Sequence, residues 1–538
     1  MTKTLLIFPP HGYFYQPYLS TPLLKGYLEQ IEGLDVNQWD MNIDYLSYLW
    51  SPKFIDIARE SLKNHIDNHE SLYYLVISNY LKEQVPKSLA ALKDENTYHQ
   101  IGQARFHKSM LSCVLDLERH LNKLQGITQK LPNELGQIDS LVSKYDLSIL
   151  YKYIQANLDK VETYDIIGFS ITYSEQFLPS LLFAKLIKEK YPEKKVIFGG
   201  TTITHYKIEM ILEADVIRKY CDFIVFYEGE EALARIIRYV SGDINEVGCN
   251  ILIPTRPNEY KEDLTRRKQL TAIPNFDGIP LDKYPVPSPI FPILTSKGCY
   301  WGKCTFCAHH EGYGLGYQSL GSEYAINVIL NLVNKYGAKN FYICDEALPP
   351  RIMKRLAEQI VSYKLDIKWI SEARAEKAFV NKESVALMKE AGCIALVNGI
   401  ESGNEEILKA LRKGIDLSVA EEYYRLCHDY GIFTAAMFFI GFAGETEEQS
   451  EDTFRFIEKN KDILDFAAVG VFHLERGTPV YNSPKQFGIE EITDKNKAYP
   501  IYYSYRMRGS AEEINPEVLK NRLRGLFRRY EHILFIAK

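Results

Sequence analysis

Ser296-Lys-Gly-Cys-Tyr-Trp-Gly-Lys-Cys-Thr-Phe-Cys-Ala-His-His310 places three cysteines, Cys299, Cys304 and Cys307, within nine residues. Thiolates this close in sequence wrap one metal centre without a distant part of the chain to collect them. Such spacing ligates an iron–sulfur cluster or zinc. In the zinc case His309 or His310 supplies a fourth ligand, a Cys3His set. In the cluster case a 4Fe–4S cube held by three thiolates leaves one iron open to a substrate or cosubstrate.

Working outward, the cysteine run follows a short apolar strand, Ile293–Ser296, and five more strands recur after it with helices between. These are Asn340–Asp345, Ile367–Arg374, Ala395–Glu401, Phe433–Gly441 and Phe466–His473. Six βα units predict a partial (β/α)6 TIM-like barrel over 291–485, with chemistry at the carboxyl ends of the strands. The first strand delivers the cysteine loop to that end. Before it, 256–290 is rich in Pro, Asp and short polar runs and reads as a linker.

Residues 1–255 read as a second α/β domain. Thr4–Phe8, Val36–Asp40, Ile166–Ile171, Val196–Phe198 and Cys221–Phe226 are strands, and Glu175–Lys190 and Glu231–Tyr239 are helices. Alternation with short turns implies a Rossmann-like parallel sheet with right-handed crossovers. Ligands of such sheets lie beyond the carboxyl ends of the strands, where Gly199-Gly200 and Glu228-Gly229 fall. A tight turn without a ligand explains a Gly-Gly pair there equally well. Between about 50 and 160 strand patterns vanish and a helical insertion is expected. Its Met110, Val114, Leu117, Leu121 and Leu124 step at four and three until Gly126 stops the pattern. After 486 a cluster of Tyr499, Tyr502, Tyr503 and Tyr505 precedes an Arg- and Leu-rich helix over Pro516–Ala537, so 486–538 reads as a helical C-terminal region.

Composition narrows the function classes. The chain has 538 residues, 46% hydrophobic and 25% charged, as in a globular protein of several domains. Net charge is −6, so nothing advertises a nucleic-acid partner, and no basic C-terminal nucleic-acid module follows the barrel. The opening run Leu5–Phe8 is too short for a signal h-region, and no run approaches a membrane span. Nine cysteines, six of them scattered singly, fit a reducing cytoplasmic setting and not a disulfide framework.

The cysteine run at a barrel strand end, with Phe306 before the third cysteine, resembles the radical S-adenosylmethionine (radical SAM) superfamily. The resemblance continues at Asp345-Glu346, Arg374, Asn398-Gly-Ile-Glu-Ser-Gly-Asn404, Phe439-Ile-Gly-Phe-Ala-Gly-Glu-Thr446 and Gly477-Thr-Pro479. The sheet domain in front, with Phe8-Pro-Pro10, Gly199-Gly200 and Glu228-Gly-Glu230, is similar to the cobalamin-binding domain of one branch of that superfamily. Together the likeness covers roughly 1–45 and 160–480. Two departures stand out. Four residues separate Cys299 from Cys304, where the family has three, with Gly302 placed to absorb the extra one. A minority of peptide-modifying members share a widened spacing and a Cys-aromatic-Trp-Gly opening. No Asp-x-His-x-x-Gly motif is present, so no histidine ligand to cobalt is expected. His11 and His205 qualify by position alone.

The resemblance implies a 4Fe–4S cluster on Cys299, Cys304 and Cys307, S-adenosylmethionine on its open iron, and cobalamin on the N-terminal sheet. For SAM it implies Phe306 near the cluster or adenine and Asp345 and Glu346 near the amino group. Arg374 would pair the carboxylate, Glu401 and Ser402 would lie at the ribose, and Gly441 and Gly444 would lie against adenine. For cobalamin it implies Pro10, Ser170, Thr172, Gly199, Gly200, Thr201, Glu228 and Gly229. Each has an ordinary alternative, such as a barrel-top salt bridge for Arg374 or a turn cap for Asp345 or Glu346. Tyr502, Tyr503 and Tyr505 read as a packed aromatic face more than a substrate wall. The implied activity is C-methylation of an unactivated carbon of a peptide or small molecule by a 5′-deoxyadenosyl radical and methylcobalamin, with a flavodoxin or ferredoxin as reductant. Cyclisation or rearrangement is the alternative within the family. A non-catalytic corrinoid or iron–sulfur sensor is the alternative outside it.

Overall fold

The computed structural model describes residues 2–128, 131–265, 272–309, 316–500 and 502–530. It divides into two compact units, Met1–Leu264 with Ala272–Ile290, and Phe291 onward with 265–271.

The first unit is built on six strands: β1 (Lys3–Phe8), β2 (Asp35–Asp40), β3 (Ile166–Ser170), β4 (Lys195–Gly199), β5 (Phe223–Val225) and β6 (Ile251–Leu252). Their order is β2-β1-β3-β4-β5-β6, parallel throughout except for the antiparallel edge strand β6. The near-continuous apolar runs of β1 and β3 follow from burial on both faces. Leu6, Ile166, Ile197 and Val225 meet Leu233, Ile236 and Ile237 of the helix Glu230–Ser241 in one core. Strand order reverses between β1 and β3, so the switch point lies beyond Phe8 and Ser170.

The expected helical insertion is present, and begins earlier, at Met41. Its two long helices, His69–Lys93 and Ile101–Leu124, pack together. The first presents Ser71, Tyr74, Ser78, Leu81, Val85, Ser88 and Leu92 to the core, a three–four repeat. On the second, Val114, Leu117 and Leu121 are buried and Met110 and Leu124 half-buried, and Gly126 takes φ +70° just past the helix end.

The stretch read as a linker, 256–290, is in part a packed strap. Gln38 Nε2 donates to the carbonyls of Asn275 and Asp277, and Tyr284 OH donates to the buried Asp40 carboxylate. Pro and Asp punctuate the strap, but side-chain hydrogen bonds from β2 fix it.

In the second unit β7 (Ile290–Ile293), β10 (Asn340–Ile343), β11 (Lys368–Glu372), β12 (Cys393–Glu401), β13 (Phe433–Ile440) and β14 (Phe466–Val471) form an open sheet in the order β14-β13-β12-β11-β10-β7. Neighbours from β10 to β14 are parallel. Helices follow the strands, giving the partial barrel expected. The first strand ends three residues earlier than expected. The chain turns at Leu294-Thr295, and β8 (Ser296–Lys297) pairs antiparallel with β9 (Gln318–Ser319), so the cysteines ride on a hairpin loop. The C-terminal region is not helical throughout. β16 (Ile489–Ile492), β18 (Tyr505–Met507) and β19 (Glu513–Ile514) make an antiparallel sheet, and β17 (Tyr502–Tyr503) pairs with β15 (Leu474–Glu475). Aromatic residues suit such half-buried ladders, with Tyr503 and Tyr505 inward and Tyr502 exposed. Helices Pro516–Arg522 and Arg524–Arg529 follow, and 531–538 lie outside the described residues. No described helix is long and apolar enough to cross a membrane.

Candidate active site at the barrel's carboxyl edge

The cysteine loop is held at its start and in its middle. Buried Asp345, just past β10, accepts from Thr295 N (2.7 Å), Thr295 Oγ1 (2.5 Å), Ser296 N (3.2 Å) and Ser296 Oγ (2.7 Å). Both its oxygens are thus engaged by the turn that launches the loop. Burial pushes its carboxyl above the usual range, while those four bonds pull it down. In mid-loop, Thr305 N donates to Leu411 O and Thr305 Oγ1 to Ala410 O, and Val480 N donates to Thr305 O. Gly302 takes φ +57°, the left-handed conformation suited to the extra residue.

Trp301 forms the outer clamp. Its indole N–H donates to Arg412 O at 2.9 Å, and the Arg374 guanidinium stacks on its ring at 4.4 Å. Gly414 accommodates this ring; a Cβ there would meet Trp301 Cζ2 at 2.2 Å. Arg374 also donates to Lys413 O (2.5 Å) and approaches Glu376, whose carboxylate accepts from Tyr300 OH at 2.8 Å. Arg374 therefore braces loop against loop, which is the barrel-top alternative named for it.

Inside the clamp lies a charged pair that the sequence alone does not reveal. Lys413 Nζ meets Glu401 Oε1 at 2.8 Å, with both side chains largely buried. Glu401 sits at φ +75° on an irregular step of β12. Gly399 makes room, since a Cβ there would fall 2.2 Å from Glu401 Oε1. Burial disfavours the Lys413 charge, but Glu401 and Cys304 outweigh it and raise its pKa. Phe306 packs on Phe439, with ring centroids 5.0 Å apart, and Lys413 lies 5.9 Å from the Phe306 ring. Cys304, Phe306, Glu401 and Lys413 are thus one cluster.

Across from it, His309 Nδ1 pairs with Glu346 Oε1 at 3.2 Å, and Tyr342 OH donates to Glu372 at 3.2 Å. Glu372, on the same strand end as Arg374, was not singled out from sequence. Burial and then Glu346 raise its pKa. Ser402 is buried and accepts from Asn404 N, which makes it a turn residue. Gly441 and Gly444 take φ +81° and +86°. Gly441 lies against Leu519, and the space at Gly444 is open.

Which metal suits the three thiols? Burial pushes the Cys307 thiol up to about 12, and neighbouring Cys304 and Cys299 act in the same direction. Yet among the described residues no three His, Cys, Asp or Glu side chains converge as ligands of a single ion. His309 is turned to Glu346, and His310 lies outside the described residues. Zinc ligands must converge on one point. Thiolates of a cubic cluster each take a different iron, so a cluster does not require that convergence.

In the first unit the expected cobalamin residues lie at the carboxyl edge of their sheet. Gln176 Nε2 donates to Pro9 O (2.6 Å), while Gln176 Oε1 accepts from the Thr172 and Tyr173 N–H groups. Ser170 Oγ donates to Ser20 Oγ at 2.8 Å. Gly200 takes φ +110°, and a Cβ there would meet Ile171 O at 2.4 Å, so close packing of two turns alone accounts for this glycine. Gly199 has ordinary space beside Val225, and Gly229 lies under Leu24. Thr201 is exposed and Glu228 half-buried. Phe8, Tyr18, Tyr173 and Tyr13 form a run of touching rings at the switch point. Burial lowers the pKa of His11, whose ring meets Tyr45 edge-on.

Comparison with known proteins places this geometry. Residues 293–457 match the radical SAM superfamily. The chain is 27% identical over 302 residues to the uncharacterized methyltransferase PH0819 of Pyrococcus horikoshii, covering 55% of this chain and 64% of that one. It is 28% identical over 228 residues to the bacteriochlorophyllide d C-12(1)-methyltransferase of Chlorobaculum tepidum, covering 41% and 48%. The chain thus spans about half to two thirds of the length of these relatives. Among solved structures it resembles the cobalamin-dependent S-adenosylmethionine radical enzyme OxsB, with a TM-score of 0.60 at 15% identity over 94% of this chain and 65% of that one. It also resembles the radical S-adenosylmethionine methyltransferase TsrM of Kitasatospora setae, with a TM-score of 0.56 at 15% identity over 90% and 78%. The chain carries a radical SAM domain at residues 293–457, preceded by a parallel-sheet domain, in the fold shared with OxsB and TsrM.

Proposed function

We propose that this chain is a cobalamin-dependent radical SAM enzyme that methylates carbon in a small-molecule or peptide substrate. The observation that carries the reading is the grouping of Cys304, Phe306, Lys413 and Glu401 on a loop braced by Asp345, Trp301 and Arg374. Methyltransferases among the relatives and the resemblance to OxsB and TsrM support it.

When bound, a 4Fe–4S cluster with SAM supplies a 5′-deoxyadenosyl radical, and cobalamin carries the methyl group. Cys299, Cys304 and Cys307 would hold the cluster. Lys413, a buried cation beside Cys304, is placed to neutralise a carboxylate, the role Arg374 cannot fill while it holds Trp301 and Lys413 O. Glu401 keeps one oxygen for a ribose diol, since Lys413 takes the other. Exposed Glu346 suits an ammonium group, whereas Asp345 is occupied by Thr295 and Ser296. Phe306 and Phe439, packed edge-to-face, supply apolar surface that would keep water from the reacting carbon. On the first unit, the backbone around Pro9, Thr172 and Gly200 and the rings of Tyr18 and Tyr173 line the edge where cobalamin would lie.

The test is product analysis of anaerobically reconstituted protein supplied with SAM, cobalamin, reductant and candidate substrates. Both 5′-deoxyadenosine and S-adenosylhomocysteine, with a labelled methyl on substrate carbon, are expected. Deoxyadenosine without S-adenosylhomocysteine points to cyclisation or rearrangement. Failure to bind any cobalamin removes the methyltransferase reading.

A further inference from the structure

In the first unit the helical insertion carries a cation to the loop at the sheet's carboxyl edge, and no described residue neutralises it. Lys108 lies on the helix Ile101–Leu124 and is half-buried. Its ammonium stands over the ring of Tyr15, 4.7 Å from the centroid, and over the ring of Tyr98, 5.0 Å from the centroid. Two ring faces attract a cation but leave its three N–H donors open. Lys108 has no ion pair or hydrogen bond among the described residues, and burial lowers its pKa with no carboxylate to offset it. The Tyr15 and Tyr98 hydroxyls have no hydrogen-bond partner among the described residues either, and burial raises the pKa of both phenols.

Packing fixes this group beside the switch point. Residues 9–19 form the loop after β1. Asn42 holds that loop, accepting from Gly12 N at 2.8 Å and donating to Tyr13 O at 3.0 Å. Tyr13 meets Tyr173, just past β3, edge-on with centroids 5.4 Å apart. The next residue, Phe14, packs edge-on against Trp50 at 5.2 Å, and the Trp50 indole N–H donates to Leu111 O at 3.3 Å. Leu111 lies one turn beyond Lys108 on the same helix, so this bond seats the helix against the loop and sets Lys108 on Tyr15. Two residues of one loop, Tyr13 and Tyr15, thus join the switch point to the cation.

An unpaired ammonium flanked by two unpaired phenols suits an oxyanion. The turns at this edge are tied by neutral groups, Gln176, Ser170 and Ser20. The side chains of a corrin are likewise neutral amides, and the one anionic group among the substituents of cobalamin is the phosphodiester of its nucleotide tail. We propose that Lys108, flanked by Tyr15 and Tyr98, is a phosphate-binding site that takes this phosphodiester, so that the helical insertion supplies the charge for the cofactor's tail. The proposal rests on the cobalamin reading above.

The experiment titrates cofactor-free protein with cobalamin and with cobinamide, which keeps the corrin and its amides but lacks the phosphodiester, and follows binding by absorbance. Wild type is set against Lys108→Met, which keeps the apolar stem and removes the charge. Wild type should bind cobalamin more tightly than cobinamide. In the variant cobalamin affinity should fall about ten- to a hundredfold, the size of a lost charge-assisted hydrogen bond, while cobinamide affinity stays unchanged. The melting temperature of the cofactor-free variant should equal or exceed that of wild type, because a half-buried charge without a partner has been removed. Full cobalamin affinity in the variant overturns the proposal. An equal loss for both corrinoids, with a lowered melting temperature, makes Lys108 a structural residue and overturns it as well. If Lys108→Met does not fold, Lys108→Gln replaces it and the same two affinities decide. A wild type that binds both corrinoids equally overturns this proposal alone, whereas one that binds neither overturns the cobalamin reading and this proposal with it.

Discussion

Two parallel sheets in this chain end in loops of different chemical character. At the barrel edge the loops carry charged or titratable side chains that meet one another: Glu401 with Lys413, Glu346 with His309, and Arg374 against Glu376. At the switch point of the first sheet the connecting groups are neutral. Gln176, Ser170 and Ser20 tie the turns, and Tyr18 and Tyr173 meet edge-to-face beside them. Buried charges are stable only when paired, and they orient a small charged ligand strongly. Neutral turns and aromatic rings suit a large ligand laid across backbone. On the proposed reading the barrel edge would take SAM with its cluster and the first edge cobalamin, and independent perturbation of each tests that division.

The largest effect is expected from Cys299→Ala, Cys304→Ala, Cys307→Ala. Reconstituted iron should fall from about four per chain to none, and deoxyadenosine formation should vanish. Cobalamin binding, followed by absorbance, should persist. Loss of both from this variant would break the division between the edges.

Glu401→Ala comes next. It removes one charged acceptor and leaves Lys413 buried beside Cys304 without its partner. SAM affinity by calorimetry should drop roughly ten- to a hundredfold, about 1.5–3 kcal/mol, with iron content intact. Unchanged affinity would mean that the ribose lies elsewhere.

The counterpart in the first unit is Gly200→Ala. A Cβ 2.4 Å from Ile171 O, at φ +110°, forces the turn apart and costs about 1–3 kcal/mol. Thermal unfolding should shift down and cobalamin binding weaken, while iron per chain stays at the wild-type value. An iron loss in this variant would show that the two edges are coupled.

The smallest effect sharpens the picture of the barrel edge. Glu445 accepts from Gly441 N (2.5 Å) and Phe442 N (2.9 Å), and its other oxygen is buried near the Ser450 hydroxyl. Burial pushes its carboxyl up to about 7 from 4.5, against those two bonds. The folded chain therefore keeps this proton across a window, from about 4.5 to about 7, in which the unfolded chain has lost it. Its contribution to stability is full below that window, declines through it, and is lost above. Glu445→Gln keeps an acceptor for the two N–H groups and offers a donor to Ser450. Its melting temperature should lack this decline, whereas an identical pH profile in both proteins would place the titration elsewhere.

The cysteine run, the order of strands and helices in both sheets, the helical insertion and the glycines at strand ends were all legible in the sequence. Each is written in local terms: a spacing of three thiols, a two- or four-residue periodicity, a residue free to take positive φ. Those patterns hold because neighbouring residues share one element whatever surrounds it. Roles at the edges were not local. Asp345 proved to anchor Thr295 and Ser296, about fifty residues away in the chain, and Arg374 to brace Lys413, thirty-nine residues away. Lys413 stands in an unremarkable Leu-Arg-Lys-Gly turn and gains its meaning only beside Cys304 and Glu401. Gly200 proved to make way for another turn. A carboxylate or guanidinium has the same composition whether it holds a loop or a ligand. Which of the two it does depends on the donors and charges that packing brings within about 3 Å, and only the folded chain fixes those.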